Sequence, residues 1–100
     1  MIFYDFEVFK EDWLAVFIDV TKKKEYVIIN NPDELKALYE ANSKDIWVGY
    51  NNRHYDQYIM KGILLGMNPK RINDWIIVEK KEGWQFSSAF NKIPMINYDV

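Results

Sequence analysis

The sequence predicts a single small α/β domain: a three-stranded antiparallel meander extended by parallel strands, with helices packed on the sheet. Three observations lead there. Residues 1–30 hold three stretches rich in β-formers joined by short polar turns, and residues 31–67 hold two segments with helical spacing around one short apolar run. The composition is 49% hydrophobic and 17% aromatic over 100 residues, which suits one packed core and no disordered tail.

The first stretch, "MIFYDFEVF", is too short for a helix and reads as a central strand, followed by a turn at Lys10 to Asp12. "WLAVFIDV" gives a second strand, "TKKK" a polar turn and "EYVIIN" a third strand, the pattern of a meander with tight connections. In "NNPDELKALYEAN" the start of a helix is written out. Asn31 is the cap, Pro32 takes the first helical position, Asp33 and Glu34 fill the first turn, and Leu35 and Leu38 share a face. "DIWVGY" is a short fourth strand and "NNRH" the loop after it. "YDQYIMKGILLGM" places Tyr55, Ile59, Ile63 and Leu64 on one side of a second helix, with Gly66 near its end. "NPKRINDWIIVEK" predicts either a short helix started near Asn68 and Pro69 or a helix passing into extended chain at Ile76 to Val78. "KEGWQF" reads as a turn and "IPMINYDV" as a fifth strand. Strand four must return through a helical crossover, so it is expected parallel to strand one, with the C-terminal ends of the two side by side. Ligands gather at such ends.

Bulk charge says little about partners, because 13 Lys and Arg nearly balance 15 Asp and Glu. Cysteine is absent, no signal segment is visible, and no apolar run approaches the roughly 18 residues of a membrane span. The expectation is a soluble intracellular protein without disulfides or membrane contact. The N-terminus reads as native. The C-terminus, stopping within the strand-like "INYDV", reads as cut.

Chemistry concentrates at three carboxylates. In "FYDFEV" a strand sends Asp5 and Glu7 to one face and Tyr4, Phe6 and Val8 to the other, so two like charges stand side by side in apolar surroundings. Asp56 opens the second helix directly after the strand-four loop, in the neighbourhood of the same strand end. Oxygen-only clusters of this kind suit Mg²⁺ or Mn²⁺, and two such ions about 4 Å apart can activate water for phosphodiester hydrolysis. The plainer roles are a polar strand face for Asp5 and Glu7, and for Asp56 a carboxylate favoured by the helix dipole, which is compatible with metal binding. Asn52 reads as a turn residue, His54 as solvent-facing, Asp99 as a polar strand residue near the same sheet end, and Lys22 to Lys24 as a solvated turn. Lys70, Arg71, Lys80 and Lys81 are too ordinary a set of surface cations to define a nucleic-acid path, and the four tryptophans read as packing.

"YDFE" resembles the first motif of the DEDD superfamily of 3′-to-5′ exonucleases, Asp-x-Glu on the first strand of a ribonuclease H-like fold. "YNNRHYD" resembles the second, an Asn followed five residues later by Asp after an aromatic residue: Asn51, Tyr55 and Asp56. The likeness covers about residues 1–66 and is greatest to the N-terminal proofreading domain of phage-type DNA polymerases. The resemblance implies that residues 1–100 are a single partial exonuclease domain, ribonuclease H-like and C-terminally incomplete. It implies two Mg²⁺ or Mn²⁺ ions in the complete domain. Asp5 would bridge both, Glu7 would bind the ion holding the attacking water, and Asp56 would ligate the other directly or through water. Asn51 and Tyr55 would shape the loop and the primer-end pocket, with Phe6 near the terminal base. The implied partners are a single-stranded DNA 3′ end and the polymerase domain of a parent chain, in the cytoplasm of a bacterial host. The third motif, a Tyr or His four or five residues before a last Asp, is not found; Lys70 precedes Asp74 at the Tyr-type spacing. This chain is therefore expected to lack a fourth ligand and a general base, to be inactive alone, and to expose apolar surface through which two copies can associate. The competing expectation is a non-catalytic ribonuclease H-like module that binds nucleic acid or protein.

Overall fold

The computed structural model describes residues 1–50 and 54–99. Strands β1 (Ile2–Val8), β2 (Trp13–Asp19) and β3 (Lys24–Ile29) form the expected meander, with Asp5 opposite Val16 and Glu7 opposite Leu14. Short hydrogen bonds close the turns. Phe9 N–H donates to the Asp12 carbonyl at 2.8 Å, and the Asp19 carboxylate accepts from the backbone N–H of Thr21 and Lys22, each at 3.1 Å. This accounts for a buried Asp at the end of a strand: its Oδ1 satisfies two of the turn's own donors.

Helix α1 (Pro32–Ala41) starts as its sequence dictates, with Asn31 Oδ1 accepting from Glu34 N–H at 3.1 Å. Strand β4 (Ile46–Gly49) follows, then α2 (Tyr55–Leu64). The end of α2 is a Schellman turn: Gly66 lies at φ +80, Gly66 N–H donates to Ile63 O, and Met67 N–H donates to Gly62 O. Only a residue that tolerates left-handed backbone ends the helix this way without strain. Helix α3 (Pro69–Asn73) is capped by the Asn68 side chain and runs into one π-helical turn, Asp74–Val78. Extended chain at Ile76 to Val78, one of the two expectations, does not occur. Helical continuation keeps Ile72 and Ile76 buried one turn apart and leaves Ile77 and Val78 outside. The "KEGWQF" turn is a 3₁₀ turn, Gly83–Gln85, and a second 3₁₀ turn, Ser88–Lys92, falls in a stretch to which the sequence assigned nothing.

Strand β5 (Ile96–Asp99) completes a mixed sheet of order β3-β2-β1-β4-β5, in which β1, β4 and β5 are mutually parallel. The chain is thus α/β with a five-stranded mixed sheet. Ile2, Tyr4 and Phe6 of β1 join Phe17, Ile28 and Trp47 from the same face of the sheet, and on them pack Leu35 and Tyr39 of α1, Ile59, Met60 and Ile63 of α2, and Ile72 and Ile76. Rings dominate this layer. Tyr4, Phe6, Phe17 and Trp47 meet mostly edge to face at 5.6–6.2 Å between centroids. No helix among the described residues is long and apolar enough to cross a membrane.

The core layer carries the stability, so truncation there and on the opposite face should differ sharply. Ile59→Ala, at a fully buried position, is expected to cost about 2–5 kcal/mol in urea unfolding. Val27→Ala, on the other face of the sheet and 52% exposed, should stay within about 0.5 kcal/mol of the parent.

Candidate active site

Strand β1 positions the first two carboxylates. Its even-numbered side chains enter the core, so Asp5 and Glu7 emerge on the opposite face, both exposed and two residues apart. Although Asp5 reaches solvent, the strand surface around it excludes enough water to push its carboxyl above the ordinary value, and the neighbouring Glu7 pushes the same way. A like-charged pair in a partly desolvated setting gains from any cation placed against it.

Asp56 is placed differently. It lies in the first turn of α2, 2% exposed, and its Oδ1 accepts from the backbone N–H of Phe6 at 2.9 Å. The β1–β4 ladder runs from Ile2–Trp47 to Tyr4–Gly49. Phe6 is two residues beyond its last pair, where the β1 backbone still presents a donor on the β4 side. The carboxylate of Asp56 takes that donor. A buried amide left alone would cost about 1–3 kcal/mol, so this single contact both seals the sheet and fixes the third carboxylate beside the peptide that joins Asp5 to Glu7.

Two residues of the expected substrate pocket lie in the core. The Phe6 side chain is 3% exposed, among Tyr4, Trp13 and Phe17, on the face opposite Asp5 and Glu7; toward the carboxylates it offers its N–H. Tyr55 is 6% exposed, and its hydroxyl donates to Asn73 Oδ1 at 2.5 Å. Burial holds this phenol well above its ordinary value, with Asp56, Asp5 and Asp74 adding to the shift in that order. Tyr55 therefore stays neutral and feels both Asp5 and Asp56. Asn51 and Asn52 lie outside the described residues. His54 is exposed and adopts left-handed backbone, φ 56.

The sequence did not single out the anchor beyond Tyr55. Asn73 Nδ2 donates to Asp74 Oδ1 at 3.1 Å, and Lys70 Nζ donates to the same oxygen at 2.6 Å, an i,i+4 pair on α3 and the turn after it. This relay ties the start of α2 to α3. Its one legible trace was the Lys70–Asp74 spacing.

Among the described residues, no group of three or more His, Cys, Asp or Glu side chains is arranged to hold a metal ion. The donor chemistry that fits a hard divalent cation is the Asp5–Glu7 pair, two carboxylates on one face with mutual repulsion to relieve. A cleft of about 560 Å³ lies elsewhere, past the end of β1, between Phe9 to Trp13, Asn30 and Asn68 to Lys70. None of the three carboxylates lines it.

The raised carboxyl of Asp5 has a signed consequence for stability. The folded state holds this proton more tightly than the unfolded chain, so stability falls as pH rises from the ordinary carboxyl range through the raised folded value. Asp5→Asn should therefore melt higher than the parent near neutral pH, and the gain should vanish in acid below the ordinary carboxyl value; an unchanged difference across that range would exclude Asp5 as its source. Comparison of the chain with protein-family models, with curated proteins and with solved structures finds no match.

Proposed function

We propose that the chain is the metal-binding part of a 3′-to-5′ exonuclease domain of ribonuclease H-like architecture, of the kind that proofreads for a phage-type DNA polymerase. The observation that carries this reading is the Asp56 Oδ1 to Phe6 N–H bond, which draws the acidic residue of the second motif to the peptide between the two acidic residues of the first. The strand order β3-β2-β1-β4-β5, with β4 and β5 parallel to β1, supports it, because that order sets Asp5 and Glu7 on the central strand beside the end of β4.

On this reading Asp5 and Glu7 would hold a divalent cation, and Asp56 would contribute to the site directly or through water. When bound, Mg²⁺ or Mn²⁺ supplies an activated water and offsets charge on the departing 3′ oxygen. The residues of the chain supply position. The Phe6 N–H fixes the Asp56 carboxylate, Asn73 fixes the Tyr55 hydroxyl, and the two together set the first turn of α2 against β1. The substrate class is a single-stranded DNA 3′ end, and the proposed setting is one chain with a polymerase domain in a bacterial cytoplasm. Residues 1–100 show no Tyr or His ahead of an Asp at the third-motif spacing, and on this reading they bind the ion without turning over DNA.

The absence of a three-carboxylate cluster among the described residues favours a second reading, a module of the same architecture that binds without catalysis. Thermal unfolding separates the two. Millimolar Mn²⁺ or Mg²⁺ should stabilise the parent chain by about 1.4–2.7 kcal/mol if the ion is present at ten to a hundred times its dissociation constant. Asp5→Asn and Glu7→Gln should each abolish the shift. No shift in the parent chain would sink the metal reading and leave the binding module.

A further inference from the structure

The face of the sheet that carries Asp5 and Glu7 is apart from Glu25 largely apolar, and it is most open over β2, β3 and β5. The strand registers place on it Phe3 of β1, Leu14, Val16 and Ile18 of β2, Val27 and Ile29 of β3, Ile46 and Val48 of β4, and Ile96 and Tyr98 of β5. Tyr50 joins them by stacking on Phe3 at 6.0 Å between centroids. The buried helical side chains of the core pack against the other face. On this one Ile29 is 61% exposed, Val27 52% and Tyr98 60%. An apolar face of this extent on a sheet is a surface built to be covered.

Charge decides what covers it. The strand positions of this face carry three charged side chains, Asp5, Glu7 and Glu25, all acidic, with no Lys or Arg among them. Two copies laid face to face would bury carboxylates against apolar side chains or against one another, with no cation to pair them, at a cost of several kcal/mol per ion. A covering element that brings its own positive charge meets the Asp5–Glu7 pair, two exposed carboxylates two residues apart on one strand face. An α-helix of about 18 residues, roughly 27 Å long, spans the five strands, and one apolar stripe of it matches the width of a packed layer.

We infer that this open face docks an amphipathic α-helix of a partner protein, its apolar stripe on Val16, Val27, Ile29 and their neighbours and a Lys or Arg at the stripe's edge against Asp5 and Glu7. The inference uses the two carboxylates as negative charge with no metal bound, the state that EDTA sets in the test, and so belongs with the reading of the chain as a module that binds without catalysis. The test is fluorescence anisotropy of the full chain in EDTA with two labelled peptides of about 18 residues, one of Leu and Lys and one of Leu and Glu in the same amphipathic pattern. The Leu/Lys peptide should bind at least about tenfold more tightly than the Leu/Glu peptide. Asp5→Asn with Glu7→Gln should weaken it by about tenfold. The deciding variant is Val27→Asp, checked for folding by circular dichroism, with Ile29→Asp in reserve. It adds negative charge yet spoils the apolar floor, so docking predicts weaker binding and bare charge attraction predicts tighter. Unchanged or tighter binding to Val27→Asp, equal affinity for the two peptides, or a stable dimer in light scattering that Val27→Asp dissolves would each overturn the proposal.

Discussion

One hydrogen bond organises the candidate site of this molecule: the Asp56 carboxylate on the backbone N–H of Phe6. Strand β1 is the middle of the sheet, yet β4 accompanies it only as far as Tyr4, and the next inward donor on that side needs an acceptor that cannot be water in a buried setting. A carboxylate from the first turn of α2 provides it, where the helix dipole favours negative charge. The same contact therefore ends the ladder, seats α2 on the sheet and brings a third acidic residue to the strand that carries the other two.

The rest of the architecture holds that contact in place from both sides. Beneath it, Ile59, Met60 and Ile63 of α2 pack into the ring layer of Tyr4, Phe6, Phe17 and Trp47. Beside it, Tyr55 is fastened through Asn73 to the Asp74–Lys70 pair. A helix of ten residues would be marginal alone, so the position of its first turn is set by these tertiary contacts. What faces outward is the complement of this packing. Residues that alternate with the core positions along each strand form the apolar face around Asp5 and Glu7, so the two faces of one strand separate the core from the candidate site.

Much of this was legible in the residues. Asn31-Pro32-Asp33-Glu34 wrote the start of α1, Gly66 wrote the end of α2, and the period-two pattern of "FYDFEV" put the two carboxylates on the face away from the core. Other features were hidden because their causes are tertiary. Ile76 to Val78 has the composition of a strand, and the burial of Ile76 beneath the helix decides otherwise. Phe6 and Tyr55 sit next to site residues in sequence, but the strand period and the helix face turn their side chains into the core. That Phe6 would contribute its amide to the site, and that Asn73 would anchor Tyr55, depend on where β4 ends and α3 begins, which no local pattern states.

Amide hydrogen exchange followed by NMR tests most directly whether Asp56 satisfies the Phe6 amide. In the parent chain the Phe6 N–H should be protected to a degree comparable with Tyr4, inside the ladder. In Asp56→Ala its exchange should speed up by at least about tenfold while the β1–β2 amides keep their protection, the mark of a local loss. A Phe6 amide that exchanges freely in the parent chain, or one whose protection is indifferent to the loss of the Asp56 carboxylate, would contradict the account.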